Sequence, residues 1–89
     1  MCRNIRTLFN FDPPATDEEI QAASLQFVRK LSGFNRPSQA NEAAFNEAVK
    51  EVSDVARRLI DSLVTSTAPR DRAEWAARAK LRSARRFSV

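Results

Sequence analysis

Histidine and tyrosine are absent from this 89-residue chain, and cysteine, glycine and tryptophan occur once each. Without histidine the chain lacks the commonest general base and the commonest metal ligand, so any active site would fall to carboxylates, arginines or one thiol. One cysteine forms no internal disulfide, which fits a reducing compartment. One glycine and no tyrosine argue against a turn-rich β fold. No apolar run approaches the roughly 20 residues that cross a bilayer. The opening MCRNIRTLFNF has no continuous hydrophobic region and no small-residue cleavage site. These absences lead to the expectation of a cytoplasmic protein, off the membrane, for which no cofactor is indicated.

What is present is the composition of an ordinary soluble domain, 43% hydrophobic and 29% charged. A chain this short makes a single domain, residues 1–89, and hides only about 60–65% of its unfolded surface. Its core must be thin, and a homodimer sharing that core is one way to supply the missing burial.

The strongest pattern lies in the middle. From Ser38 to Val64 apolar residues fall at Phe45, Val49, Val52, Ala56, Leu59 and Leu63, the repeat of one helix face. Ala48, Val55, Ile60 and Val64 widen that face. Lys50 with Asp54, Asp54 with Arg58, and Arg57 with Asp61 are spaced to pair on the solvated side. The spacing predicts a long helix over 38–64, started by Ser38 after Pro37.

A second helix is expected over 16–32. Thr16-Asp17-Glu18-Glu19 reads as a capping box, in which the threonine caps and Glu19 returns the bond. Ile20, Ala23, Phe27 and Leu31 would form its buried side, flanked by Leu25 and Val28. Arg29 and Lys30 suit the last turn, and Gly33 suits a left-handed cap with Phe34 folded back. Residues 1–15 are expected to give one or two helical turns at Ile5, Leu8 and Phe9. An extended lid ending at Asp12-Pro13-Pro14 would follow. A third helix is expected over 69–86, with Pro69 in its first turn. Ala73, Ala76, Ala77, Leu81, Ala84 and Phe87 would face the core, and arginines the solvent.

MCRNIRTLFNFDPPAT, EEIQAASLQFVRKLSGFNRPSQANEAAFNEAV and RRLIDSLVTS follow one another along nearly the whole chain. In this the sequence resembles the small bacterial proteins grouped as domain of unknown function 2277. The resemblance implies a small bacterial protein and brings no activity, cofactor or catalytic residue with it.

Three places hold candidate chemistry. Between Pro69 and Arg86 there are seven basic and two acidic residues, a net +5, while the rest of the chain carries −1. Arg78, Arg82, Arg85 and Arg86 share a wedge with Trp75, a combination suited to phosphate contacts and base stacking. The same pattern, acids first and arginines last, is also what a helix dipole favours in any surface helix. Trp75 equally suits a cation–π contact, an interface anchor or partial burial against the central helix. Asn35, Arg36 and Ser38 sit before a helix N-terminus, where an anion would be welcome, although a turn with two caps explains them as well. Cys2 would head the chain if the initiator methionine were trimmed. Its amine and thiol could then chelate a soft metal, with Arg3 and Arg6 favouring the thiolate. Glu18, Glu19, Asp54 and Asp61 read as caps and surface pairs rather than an acid–base couple.

The sequence therefore predicts an all-α protein, a small three-helix bundle with a short N-terminal segment and the central helix longest. It encodes no defensible catalytic group. The leading functional expectation is a binding or adaptor module whose basic C-terminal helix meets nucleic acid or an acidic protein. The alternatives are a thiol or metal role at Cys2, and a structural subunit completed by oligomerisation.

Overall fold

A computed structural model describes the backbone of residues 5–87 and the side chains of residues 5–82. Its element order is β1 (Phe11–Asp12), α1 (Asp17–Ser32), α2 (Glu42–Ser62), β2 (Arg70–Asp71) and α3 (Arg72–Phe87). It is a three-helix, all-α protein with the central helix longest, and a two-residue parallel strand pair is its only sheet among the described residues.

Helix α1 begins and ends as its chemistry requires. Thr16 is extended and its Oγ1 accepts the Glu19 N–H at 3.2 Å, while the Glu19 carboxylate accepts the Thr16 N–H at 3.0 Å. Two otherwise orphaned donors are thereby satisfied. At the other end Gly33 takes φ +77°, and its N–H reaches the Arg29 carbonyl at 2.9 Å. A side chain would resist that conformation, which is why glycine stands there. Phe34 does not fold fully back. Its N–H bonds Ser32 Oγ and its ring stays 41% exposed.

Helix α2 starts later than expected. Residues Gln39–Asn41 form a 3-10 turn, and Ser38 heads that turn without a side-chain cap to the backbone. Its Oγ instead accepts from Asn41 Nδ2 at 2.9 Å. The helix ends at Ser62, because Leu63 is already extended. Of the three surface pairs expected on α2, Arg57–Asp61 forms at 3.3 Å. Lys50–Asp54 and Asp54–Arg58 do not come within ion-pair distance.

Helices α1 and α2 are antiparallel. Arg57 reaches Asp17 at one end of the pair, and Val28 packs with Phe45 and Val49 at the other. Leu25, Ala48 and Val52 complete this small core. The buried face of α1 is rotated from the one expected. Ile20, Ser24 and Val28 are buried, Ser24 returning its hydroxyl to the Ile20 carbonyl at 2.8 Å, while Phe27 and Leu31 are exposed. A single neighbouring helix covers only part of an apolar stripe this wide. The remainder faces out on both helices.

The N-terminal segment forms no helix over its described residues. Phe11 and Asp12 pair in parallel with Arg70 and Asp71, so a chain start expected to coil becomes a strand edge. Asn10, at φ +65°, secures this junction. Its Nδ2 donates to the Thr67 and Ala68 carbonyls, each at 3.3 Å, and its own carbonyl accepts the Arg70 N–H at 2.9 Å. Asparagine tolerates positive φ better than most residues. Phe11 and Ala15 of this segment are buried, but Phe11 packs on Trp75 of α3 and not on the Val28, Phe45 and Val49 cluster that a lid across the core would cover.

The β2 pairing diverts α3. Pro69 lies before the strand, and the helix starts at Arg72, with the Asp71 carboxylate accepting the Glu74 N–H at 2.9 Å. The alanine face expected to dock is instead open: Ala73, Ala76, Ala77 and Leu81 are all exposed. Ala84 and Phe87 lie outside the described side chains. Three helices are present, but α3 is anchored by its first two turns, and its alanines have too little surface to hold its length against the others.

Candidate functional site

The anchor of α3 is built from charge and aromatic rings. Arg72 places one terminal nitrogen 2.5 and 2.6 Å from the two Glu19 oxygens, joining the start of α3 to the first turn of α1. Both side chains are partly screened from water, 19% exposed for Glu19 and 33% for Arg72. The Thr16 backbone N–H, and then the Arg72 guanidinium, hold the Glu19 carboxyl below its ordinary range against an opposing loss of hydration. Glu19 thus caps one helix and tethers another. The sequence reading assigned it the cap alone.

Beside this pair, Trp75 meets Phe11 edge to face, with ring centroids 5.7 Å apart and planes at 77°. The Arg70 guanidinium lies 5.1 Å from the Phe11 ring and 4.9 Å from the Trp75 ring, and Arg82 lies 5.8 Å from the indole. Such contacts hold a cation in place without neutralising it. Trp75 is half-buried, as one sequence reading had it, but against the N-terminal segment rather than the central helix. The reason is again the β1–β2 pairing, which brings Phe11 to α3.

Arg6, Leu8, Phe11, Glu19, Arg72 and Trp75 line an open cleft of about 320 Å³. Its polar wall is the satisfied Glu19–Arg72 pair. Further along α3, on the side that carries Trp75, Arg78 and Arg82 are exposed and, among the described residues, have no carboxylate within ion-pair distance. Even Glu74, one turn before Arg78, makes no such pair. The backbone of Arg85 and Arg86 continues the helix, and their side chains lie outside the described residues.

The other candidates fare differently. Asn35, Arg36 and Ser38 occupy a turn: Arg29 Nε donates to the Asn35 carbonyl at 3.1 Å, Ser38 accepts from Asn41, and Arg36 points into solvent. No shared focus for an anion arises from these contacts. Cys2 lies outside the described residues. Among the described residues, no group of three or more acidic or cysteine side chains is placed to hold a metal ion. No helix among them is long and apolar enough to cross a membrane.

Sequence reasoning missed Arg70 and Arg72, counting them only as part of a basic segment. No local pattern marks them: Pro69 suits a first helical turn, and Arg70 gains its place only by pairing with Phe11, 59 residues away.

Fold and site together define a small all-helical protein with a two-helix layer and a basic third helix tethered at its base. The chain belongs to the family described as an uncharacterized conserved protein, domain of unknown function 2277, whose profile matches residues 1–78. The match takes in Arg70, Arg72, Trp75 and Arg78, while Lys80, Arg82, Arg85 and Arg86 lie beyond it. No curated protein and no solved structure matches the chain.

Proposed function

We propose that this protein is a non-enzymatic binding module whose α3 presents cations to a polyanionic partner, nucleic acid first among them. One observation carries the reading. The segment holding all the excess positive charge stands away from the α1–α2 layer, with Arg78 and Arg82 exposed and unpaired among the described residues. A basic helix that served only to close the core would turn its alanines inward and neutralise its arginines along its own length. This one does neither. Arg70 and Arg82 are held against Trp75, so two guanidinium groups start from fixed positions and lose less freedom on binding.

The reading is tested by binding of the full chain to mixed single-stranded and duplex DNA across a salt series. A variant with Arg78, Arg82, Arg85 and Arg86 changed to alanine is run in parallel. Each phosphate that the variant no longer neutralises should flatten the log–log salt slope by about 0.7 for single strands and about 0.9 for duplex. Absence of binding at low salt, or an unchanged slope in the variant, refutes it and moves the partner to the acidic-protein class.

A further inference from the structure

The α1–α2 layer has two unlike sides. At about 100° per residue, Phe27 and Leu31 lie on one flank of α1, and Val55 and Leu59 on one flank of α2. Because the helices are antiparallel, both flanks point to the same side of the layer. Phe27 is 43%, Leu31 72%, Val55 55% and Leu59 57% exposed there. The opposite side carries Gln21, Asn46, Lys50, Ser53 and Asp54 around a groove that reaches the buried Ile20 and Val49. An amphipathic layer of this kind is half of a core.

The dimensions agree. The protein measures 44 × 38 × 18 Å, a flat shape rather than a rounded one. Its radius of gyration is 15.8 Å, against about 12 Å for a compact domain of this length. Its accessible surface of 7355 Å² exceeds by roughly 2,000 Å² what a compact protein of this mass exposes. Part of that excess belongs to the projecting α3. A standard interface needs only about 800 Å² per partner.

We infer that the apolar side of the α1–α2 layer is covered by a second copy of this chain, with the two α2 helices antiparallel and crossing near Val55. Val55 and Leu59 form the exposed seam, and Ala48 and Val52, half-buried against the core, continue its spacing of four, three and four along its inner edge. Glu51 and Arg58, seven residues apart, occupy the same position along its outer edge. Neither has an ion-pair partner within the chain among the described residues. The antiparallel crossing sets Glu51 against Arg58 of the partner subunit, and two-fold symmetry makes the reciprocal pair. A parallel crossing would set Glu51 against Ala56 of the partner subunit and Arg58 against Leu63 of the partner subunit, leaving both charges unmatched. Charge complementarity thus selects the antiparallel arrangement. Phe27, level with Ala48, closes the seam against Leu59 of the partner subunit. The product is a four-helix core that carries two basic helices on its outside, and none of it depends on what those helices bind.

Sedimentation equilibrium of the full chain, from about 1 to about 200 µM and without nucleic acid, tests the inference. Twice the chain mass of 10.0 kDa is expected. Val55→Asp with Leu59→Asp should weaken association at least about 100-fold, with helix content at low concentration unchanged because both residues are exposed in the single chain. Glu51→Arg and Arg58→Glu should each weaken it about tenfold, and the two together should restore it to within about threefold. A single-chain mass throughout overturns the inference. So does a dimer indifferent to the Val55 and Leu59 changes, or charge reversals that the combined variant does not rescue.

Discussion

Replacing Glu19 by glutamine separates its two tasks. Glutamine still offers the oxygen that accepts the Thr16 N–H, so the capping box survives. What disappears is the charge facing Arg72, where both carboxylate oxygens lie within 2.6 Å of one guanidinium nitrogen. Hydrogen bonds to charged groups contribute about 1.5–3 kcal/mol. Partial exposure of both side chains puts the loss near the lower half of that range, about 2 kcal/mol. An unfolding entropy of about 2.1 cal/mol/K per residue makes this a fall of about 10 °C in melting temperature for a chain this size. Circular dichroism follows the helices, while the emission of Trp75, next to Phe11 and three residues from Arg72, follows the tether. Paired with Arg72→Gln in a double-mutant cycle, the coupling should be about 1–2 kcal/mol. The pH dependence supplies an independent check. The folded-state carboxyl lies below the ordinary 4.5, so its stabilisation is complete above that pH. As pH drops further through the lowered folded value, the unfolded chain binds the proton first and that stability is lost. Glu19→Gln should remove this part of the acid slope. Equal melting temperatures within about 2 °C, or an unchanged acid slope, would refute the tether.

Three further substitutions probe the layer itself. Gly33→Ala meets no atom within 4 Å of the added carbon, so only the left-handed backbone resists it; thermal melts should show a loss of about 1–2 kcal/mol. Phe45→Ala, at a ring only 8% exposed in the small core, should cost about 3–5 kcal/mol in urea unfolding. Phe27→Ala should cost a dilute chain much less, and should act mainly on association.

The helices were legible because their signals are local. The capping box at Thr16–Glu19, the left-handed Gly33 and the apolar repeat from Phe45 to Leu63 involve residues within a turn or two of one another. Helical geometry converts such spacing directly into contact. The basic segment was legible for the same reason, since charge can be counted along the chain. The position of the buried stripe was not. Ala23, Phe27 and Leu31 satisfy the helical repeat as well as Ser24 and Val28 do, and only the neighbour's position decides between them.

The sequence by itself thus determined the number and order of the helices, the family, and the concentration of positive charge in the last helix. Tertiary structure alone decided how they are used. Phe11 pairs with Arg70 across 59 residues, a partnership no local pattern announces. That pairing swings α3 away from the layer, brings Trp75 to Phe11 and gives the Glu19 cap a second task as a tether. It also leaves Val55, Leu59, Phe27 and Leu31 uncovered. An amphipathic helix records how much apolar surface it must bury. Which surface buries it is settled by competition among distant segments, and that competition exists only once the chain has folded.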